Sequence, residues 1–559
     1  MNTLCSPPKA AARELDAVII GAGFSGLYML HRLRGLGLRA RVLERGSGVG
    51  GTWFWNRYPG ARCDIESIDY AYSFSEELLE EWTWSERYAT QPEILRYLNY
   101  VADRFDLRSD VQLNTRVVSA HYDEVANRWL LDTAEGERFR AQFCIMATGC
   151  LSSVNRPDFP GLDEFAGEWF HTARWPEEGV DFSGRRVGVI GTGSTAIQAI
   201  PQIAKQAEQL YVFQRTPNYS MPAQNRPMDP DAFRELLRDF TARRREAERS
   251  DAGVPVAPPE KATFEVSPDE RRQMYEAGWQ RGGINALSYA FTDYFTSEEA
   301  NAVAQEFARE KIREIVRDPE VADLLCPRHH IGTKRTCVDI GYYETYNRDN
   351  VELVDLRRAP LVEITPQGIR TTEREYRLDS LVFATGFDAM TGALLEIDVR
   401  GRAGTELRRK WADGPVTYLG LAVAGMPNMF IITGPGSPSV LSNMVLSIEQ
   451  HVDWVADAIA HLRERGLDRI EASDEAEAAW VAHVNQLANA TLYPQAASWY
   501  VGANIPGKPR VFMPYVAGCG PYRRECEDVV RRGYAGFTLT ASADGAETPD
   551  AGVARRALA

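Results

Sequence analysis

At 559 residues the chain is too long for one core, so two or three domains are expected and a single small module is excluded. Its balance of 44% hydrophobic and 25% charged residues is that of a globular protein and excludes a disordered, fibrous or membrane-embedded chain. A formal charge of -15 leaves no positive field to gather polyanions, so nucleic acid is not an expected partner.

Met1 to Asp16 contain no apolar core of signal-peptide length and no later run approaches a membrane span, so a soluble, cytoplasmic protein without a membrane partner is expected. Ala17, Val18, Ile19 and Ile20 form a strand-type run that stops at Gly21, and Leu27, Leu30 and Leu33 then recur at helical spacing. Arg41, Val42, Leu43 and Glu44 supply the next strand and complete a βαβ unit of a doubly wound sheet. An apolar run at 143–146 closes on Ala147-Thr148-Gly149. Strand, glycine, helix and strand then return, with Val187 to Ile190, Gly191, Ser194 to Lys205, and Leu210 to Phe213. From Pro222 to about His330 the composition turns to Arg, Glu and Ala at helical spacing, and Arg243-Arg244-Arg245 reads as a solvated helix face. Another apolar run, 381–383, closes on Ala384-Thr385-Gly386, an ending that repeats the earlier one and implies a return to the first domain.

The expected fold is therefore α/β, with two Rossmann-like dinucleotide-binding domains and a mostly helical insertion. The first domain takes 1–149 and 381–540, the second takes 150–221 and 331–380, the insertion is 222–330, and 541–559 reads as a disordered tail.

Gly21-x-Gly23-x-x-Gly26 and Gly191-x-Gly193-x-x-Ala196 each lie between a strand and a helix, where backbone N–H groups at the helix start can hold a pyrophosphate. The residue roughly twenty positions beyond each turn differs: Glu44 in the first unit and Arg215 in the second. A carboxylate accepts from ribose hydroxyls and repels a 2′-phosphate, whereas a guanidinium grips one, so FAD is expected at the first turn and NADPH at the second, with Thr216 adding a hydroxyl. Hydride transfer from NADPH to a flavin is the chemistry this pairing implies. The eight cysteines show neither a CxxC pair nor metal-finger spacing, so a dithiol acceptor and a metal site are not expected, which leaves O2 or a small organic molecule.

Phe165-x-Gly167-x-x-x-His171-x-x-x-Trp175-Pro176 and Gly51-x-Trp53 through Tyr58-Pro59-Gly60 to Asp64 match the short and long fingerprints of Baeyer–Villiger monooxygenases. Gly332-Thr333-Lys334-Arg335 and the segment from Trp499 to Gly507 also resemble the family, and the resemblance runs nearly the full chain, closest to phenylacetone and steroid monooxygenases. It implies FAD and NADPH as cofactors and O2 and a ketone as substrates. It also implies a C4a-peroxyflavin stabilised by Arg335, a cation that no physiological pH discharges, and positioned by Asp64. FAD contacts are implied for Gly21, Gly23, Ser25, Gly26, Glu44, Thr52, Trp53, Phe54, Trp55, Tyr70, Val117 and Met444. NADPH contacts are implied for Arg62, Cys63, Asp64, Thr192, Gly193, Ser194, Thr195, Ala196, Ile197, Gln198, Arg215, Thr216, Lys334, Arg335 and Trp499. Ile65, Gln91, Cys150, Leu151, Ser439, Val440, Leu441 and Met444 are the implied pocket for a bulky aryl, cyclic or steroid ketone, and His171 is expected to be structural. A flavin-dependent N- or S-monooxygenase and a non-catalytic flavin and NADP-binding redox partner are the alternatives.

Overall fold

The computed structural model describes residues 12–541, so the expected tail lies outside the described residues except for Ala541. The strand Arg13–Ile20 runs parallel to Ala40–Leu43 on one side and to Arg138–Met146 on the other, with Ile20 opposite both Leu43 and Met146. Ala17, Val18 and Ile19 are fully buried, which is why this strand reads as an unbroken apolar run and not as an alternating one. The sheet continues outward through Val111–Gln112 on one edge and through Arg128–Thr133, Val117–Asp123 and Asp398–Arg400 on the other. Met429–Ile431 adds a further parallel strand beside Arg138–Met146.

The second sheet has five strands, all parallel, in the order Val351–Asp355, Gln209–Gln214, Arg186–Ile190, Ser380–Phe383 and Glu168–His171. The strand that ends in Ala384-Thr385-Gly386 is therefore part of the second sheet, not of the first. The expectation that residues from 381 onward rejoin the first domain is corrected to a crossing after Gly386.

The reason lies in a local geometry used twice. Gly21 has φ +108 and Gly191 has φ +115, and a Cβ on either would sit 2.5 Å from the Ala147 carbonyl oxygen or 2.6 Å from that of Ala384. Each glycine turn thus presses against the Ala-Thr-Gly end of the neighbouring strand in its own domain. The two tripeptides are alike because they meet the same constraint in two different sheets.

Between the paired strands Ser220–Pro222 and Cys337–Asp339, helices fill the intervening sequence: Pro230–Arg238, Phe240–Arg249, Pro268–Arg281, Glu298–Ile315 and Pro319–Leu325. Pro268–Arg281 and Glu298–Ile315 pack a core of their own with Tyr275, Phe291, Tyr294 and Phe307, whereas Ala322 and Leu325 of Pro319–Leu325 join the core of the second sheet. Helix Phe240–Arg249 lies instead on the first domain, and here the expectation of a solvated arginine face is corrected. Arg243 forks onto the buried carboxylate of Asp69 (2.8 and 2.6 Å), Arg244 pairs with the buried Glu449, and Arg245 alone of the three is exposed. No helix among the described residues is long and apolar enough to cross a membrane.

Candidate active site

Both glycine turns feed helices whose first turns are left open. Phe24–Gly35 starts from Gly23 and Ser194–Ile203 from Gly193, and neither has a capping side chain or an acidic residue in its first turn. Orphaned N–H groups and the positive end of the helix dipole therefore face outward at both places, as an incoming pyrophosphate requires. A Cβ on Gly193 would meet nothing within 4 Å, so the approach to its backbone is free. Ala196 and Ile197 are fully buried, so their side chains pack into the domain core and do not line an open surface. Ser25 is also buried in its helix, while Ser194 and Thr195 are half-buried.

The two turns differ downstream as the residues require. Glu44 is buried and accepts from Ala22 N (2.8 Å) and Gly46 N (2.7 Å), so its carboxylate braces the glycine turn and still has lone pairs to spare. Beyond it, helix Thr52–Trp55 brings Trp53 onto Tyr70, whose hydroxyl accepts from Trp53 Nε1 at 3.2 Å. Val117 opens the strand Val117–Asp123 and packs in the same cluster as Leu43. At the second turn Thr192 Oγ1 donates to the Thr216 carbonyl at 2.8 Å, tying the turn to the end of strand Gln209–Gln214. Arg215 stands exposed beside it. Burial, and then the charges of Arg215 and Arg357, push the Lys334 ammonium below its ordinary pKa. Among the described residues none of these three charged groups is ion-paired with a carboxylate, although Asp355 accepts from the Arg357 backbone N at 2.9 Å.

Arg335 is the most tightly fixed cation of the site. Its Nε and Nη2 donate to the two oxygens of Asp64, both at 2.9 Å, and Nη1 donates to the Val440 carbonyl at 2.5 Å. The Tyr500 hydroxyl also faces the guanidinium. Burial works against the charge, but Asp64 and Tyr500 outweigh it and hold the Arg335 pKa above its already high ordinary value. Burial pushes the Tyr500 hydroxyl up to about 12, so it stays neutral beside the cation.

Val440 leads into an apolar cluster that gathers Cys150, Leu151, Leu441, Met444 and Trp499 with Tyr493, Tyr500, Phe512 and Met513. Ser439 sits at its edge with φ +41, its hydroxyl donating to the Thr433 carbonyl at 3.2 Å. Ile65 and Gln91 pack elsewhere: Ile65 belongs to the first-domain core with Trp53, and Gln91 Nε2 donates to the Trp53 carbonyl at 2.5 Å. The structure thus brings six of the expected pocket residues together, sets Gln91 against helix 52–55 and puts Ile65 in the first-domain core, against which Met444 also packs.

The pyridine nucleotide-disulphide oxidoreductase family model matches residues 18–244. A Baeyer–Villiger monooxygenase of Pseudooceanicola batsensis is 44% identical over 537 residues, which cover 96% of this chain and 98% of that protein. The chain belongs to the Baeyer–Villiger monooxygenase family. An acetone monooxygenase (methyl acetate-forming) of Gordonia sp. is 44% identical over 529 residues, covering 94% of this chain and 99% of its own length. Among solved structures, an oxidized steroid monooxygenase bound to NADP superposes with a TM-score of 0.92 at 55% identity, over 95% of this chain and all of that one.

In this Baeyer–Villiger monooxygenase His171 ends the edge strand of the second sheet, and its ring is buried. Nδ1 accepts from Ala173 N at 3.1 Å, which fixes the proton on Nε2, 3.0 Å from Thr385 Oγ1; that hydroxyl donates in turn to the Asn155 carbonyl. Burial and then Arg174 hold the imidazole down to about 4. An unfolded histidine titrates near 6.5, so His171 adds no pH dependence above that value, and stability falls as the pH drops from there toward 4. His171→Asn keeps an acceptor for Ala173 N but does not titrate. The stability advantage of the unaltered enzyme over this variant should shrink by about 2 kcal/mol between pH 7.5 and pH 5. Parallel denaturation profiles for the two proteins would refute the assignment.

Several contacts of the site carry no signal of their own in the sequence. Arg357 lies just past strand Val351–Asp355, which pairs with Gln209–Gln214, and its Nη2 reaches Thr216 Oγ1 at 3.5 Å. The Val440 carbonyl and the Tyr500 hydroxyl are likewise placed by tertiary packing. Arg62 is a nucleotide contact by resemblance, yet its guanidinium is engaged with Glu86 (3.0 Å) and the Tyr88 carbonyl (3.1 Å). Cys63 is buried, with its sulfur accepting from Ile65 N, and burial pushes its thiol well above the ordinary range.

Proposed function

We propose that this enzyme inserts one O2-derived oxygen atom beside the carbonyl of a bulky aryl, cyclic or steroid ketone, giving an ester or lactone. It would work in a reducing cytoplasm, where its seven described cysteines stay free thiols. The observation that carries the reading is the Arg335–Asp64 fork, anchored by Val440 at the edge of the apolar cluster.

FAD fits the first glycine turn, with Glu44 on a ribose and the Trp53–Tyr70 pair beside it, and NADPH fits the second. When bound, NADPH supplies a hydride and FAD supplies the centre that activates O2. The protein's part is electrostatic and spatial. A guanidinium carries five N–H donors; Asp64 and Val440 take three of them and the Tyr500 hydroxyl faces the group as well, so one N–H remains for a reacting oxygen. That fixed charge opposes protonation of a nucleophilic oxygen and stabilises the negative charge that builds on the ketone oxygen as the carbonyl is attacked. Asp64 holds the guanidinium plane in one orientation. Cys150, Leu151, Val440, Leu441 and Met444 offer apolar walls that exclude water and accept a large hydrocarbon frame.

Arg215, Lys334 and Arg357 would neutralise a 2′-phosphate. The test is a panel of phenylacetone, cyclic ketones and progesterone, assayed with NADPH and with NADH, in the unaltered enzyme and in Arg215→Ala. NADPH consumption should depend on ketone and yield one ester or lactone per NADPH. Arg215→Ala should raise KM for NADPH by about tenfold to a hundredfold and leave NADH use unchanged. A sulfide or amine that outcompetes every ketone would favour the heteroatom oxygenase instead, and equal losses with both nucleotides would remove Arg215 from the 2′-phosphate.

A further inference from the structure

Gln198 occupies the second turn of helix Ser194–Ile203, flanked by the fully buried Ile197 and Ala199, and is itself 8% exposed. A buried amide at such a position is unfavourable unless its polar atoms are satisfied, and an aliphatic residue would pack there without that demand. All of its described partners belong to a loop of the other dinucleotide domain. Oε1 accepts from the Tyr58 hydroxyl at 2.8 Å and from Arg62 N at 3.3 Å, while Nε2 donates to the Arg62 carbonyl at 3.2 Å. The side chain therefore pairs with both backbone groups of Arg62, as a neighbouring strand would.

The backbones are equally close. Gly60 has φ +83, and a Cβ there would stand 2.4 Å from the Gln198 carbonyl oxygen, so the loop lies directly on the helix. Tyr58 also faces the Thr195 hydroxyl in the helix's first turn, at the end left open for an anion. Two residues beyond Arg62, Asp64 grips Arg335 through both carboxylate oxygens. One short loop, 58–64, is thus clamped at one end to the second dinucleotide helix and at the other to the guanidinium.

We propose that Gln198 is a positioning residue: through Arg62 and Tyr58 it couples the helix of the second glycine turn to loop 58–64, so that nucleotide occupancy of that turn sets where Asp64 holds Arg335. This rests on the reading of that turn as the NADPH site. Gln198 is a nucleotide contact by resemblance, but its amide is engaged with Tyr58 and Arg62, and the coupling runs through those bonds whether or not it also touches the nucleotide. It works because the amide makes the helix and the loop move as one body, while an apolar side chain of the same size would let them slide.

The test uses the FAD-loaded full-length enzyme, NADP+ as probe, and hydrogen–deuterium exchange as readout. In the unaltered protein NADP+ should slow exchange both in 191–198 and in 58–64. In Gln198→Leu, at NADP+ concentrations that saturate both proteins, the slowing should stay confined to 191–198, and the Arg62 amide should exchange about tenfold faster even without nucleotide because its acceptor is gone. Ester formed per NADPH should fall in parallel. Tyr58→Phe, which removes one contact and keeps the Arg62 pairing, should give a smaller effect in the same direction and serves alone if Gln198→Leu does not retain FAD. Slowing of 58–64 by NADP+ in Gln198→Leu, as in the unaltered enzyme, overturns the proposal. So does a large rise in Kd with transmission intact, which is the signature of a plain nucleotide contact. If NADP+ slows neither segment in the unaltered protein, the reading of the site itself falls; if it slows 191–198 but not 58–64, only the coupling falls.

Discussion

Arg335→Ala should leave flavin reduction by NADPH within a few fold of the unaltered enzyme and cut ester formation by about 10³-fold or more, a loss at the upper end of what removing one oxyanion donor brings. The asymmetry comes from what the side chain touches. Its described partners are Asp64, Val440 and Tyr500, and none of these belongs to the glycine turn of the second domain. Arg335 is itself a nucleotide contact by resemblance, but the glycine turn, Arg215 and Lys334 remain when it is removed. Hydride delivery therefore keeps most of its binding surface, while the oxygen step loses the fixed charge, and the electrons should appear as hydrogen peroxide. Arg335→Lys should recover little, because an ammonium keeps the charge but cannot form the two-pronged contact with Asp64. Asp64→Ala should be milder, about tenfold, since the cation remains and loses only its orientation. Stopped-flow absorbance separates the two half-reactions. Ester formation by Arg335→Ala within tenfold of the unaltered rate would end this assignment, and an equal loss of flavin reduction would mean that holding the nucleotide is the main role of Arg335.

What could be read without the structure was what local physics forces. Gly21 and Gly191 are glycines because the backbone there has positive φ and a carbonyl oxygen occupies the place of a side chain, a constraint visible in any strand–turn–helix stretch. Glu44 and Arg215 stand at strand ends, where the fold's geometry gives a residue its meaning. The second Ala-Thr-Gly misled for the same reason that the glycines informed. An identical local constraint operates in both domains, and only the pairing of Ser380–Phe383 with Arg186–Ile190 tells them apart. Asp64 and Arg335 are 271 positions apart and were joined by resemblance alone. The roles of Arg357, Gln198 and the arginine run escape sequence reasoning because periodicity describes a helix's faces and not what lies against them.

The arginine run leads to the largest stability effect expected outside the site. Arg244 and Glu449 are paired with side chains only 11% and 6% exposed, and Glu449 also accepts from Ser73 N (2.6 Å) and Ser73 Oγ (2.7 Å). Burial pushes the Glu449 carboxyl above its ordinary pKa, and Arg244 with Ser73 opposes the rise. Arg244→Ala removes the partner and leaves the carboxylate desolvated, which should destabilise the protein by about 3–5 kcal/mol. Exchange of the pair for apolar residues of similar size, Arg244→Met with Glu449→Leu, should cost far less than the single change, because no uncompensated charge remains. In Arg244→Ala the folded-state carboxyl titrates above its unfolded value near 4.3, so the deficit should grow as the pH rises from there and shrink as it falls back. Denaturation of the single and double variants at pH 5 and pH 8 measures both effects. A loss below about 1 kcal/mol in Arg244→Ala, the size typical of an exposed pair, would mean that this helix is held to the first domain by packing and not by its buried charge.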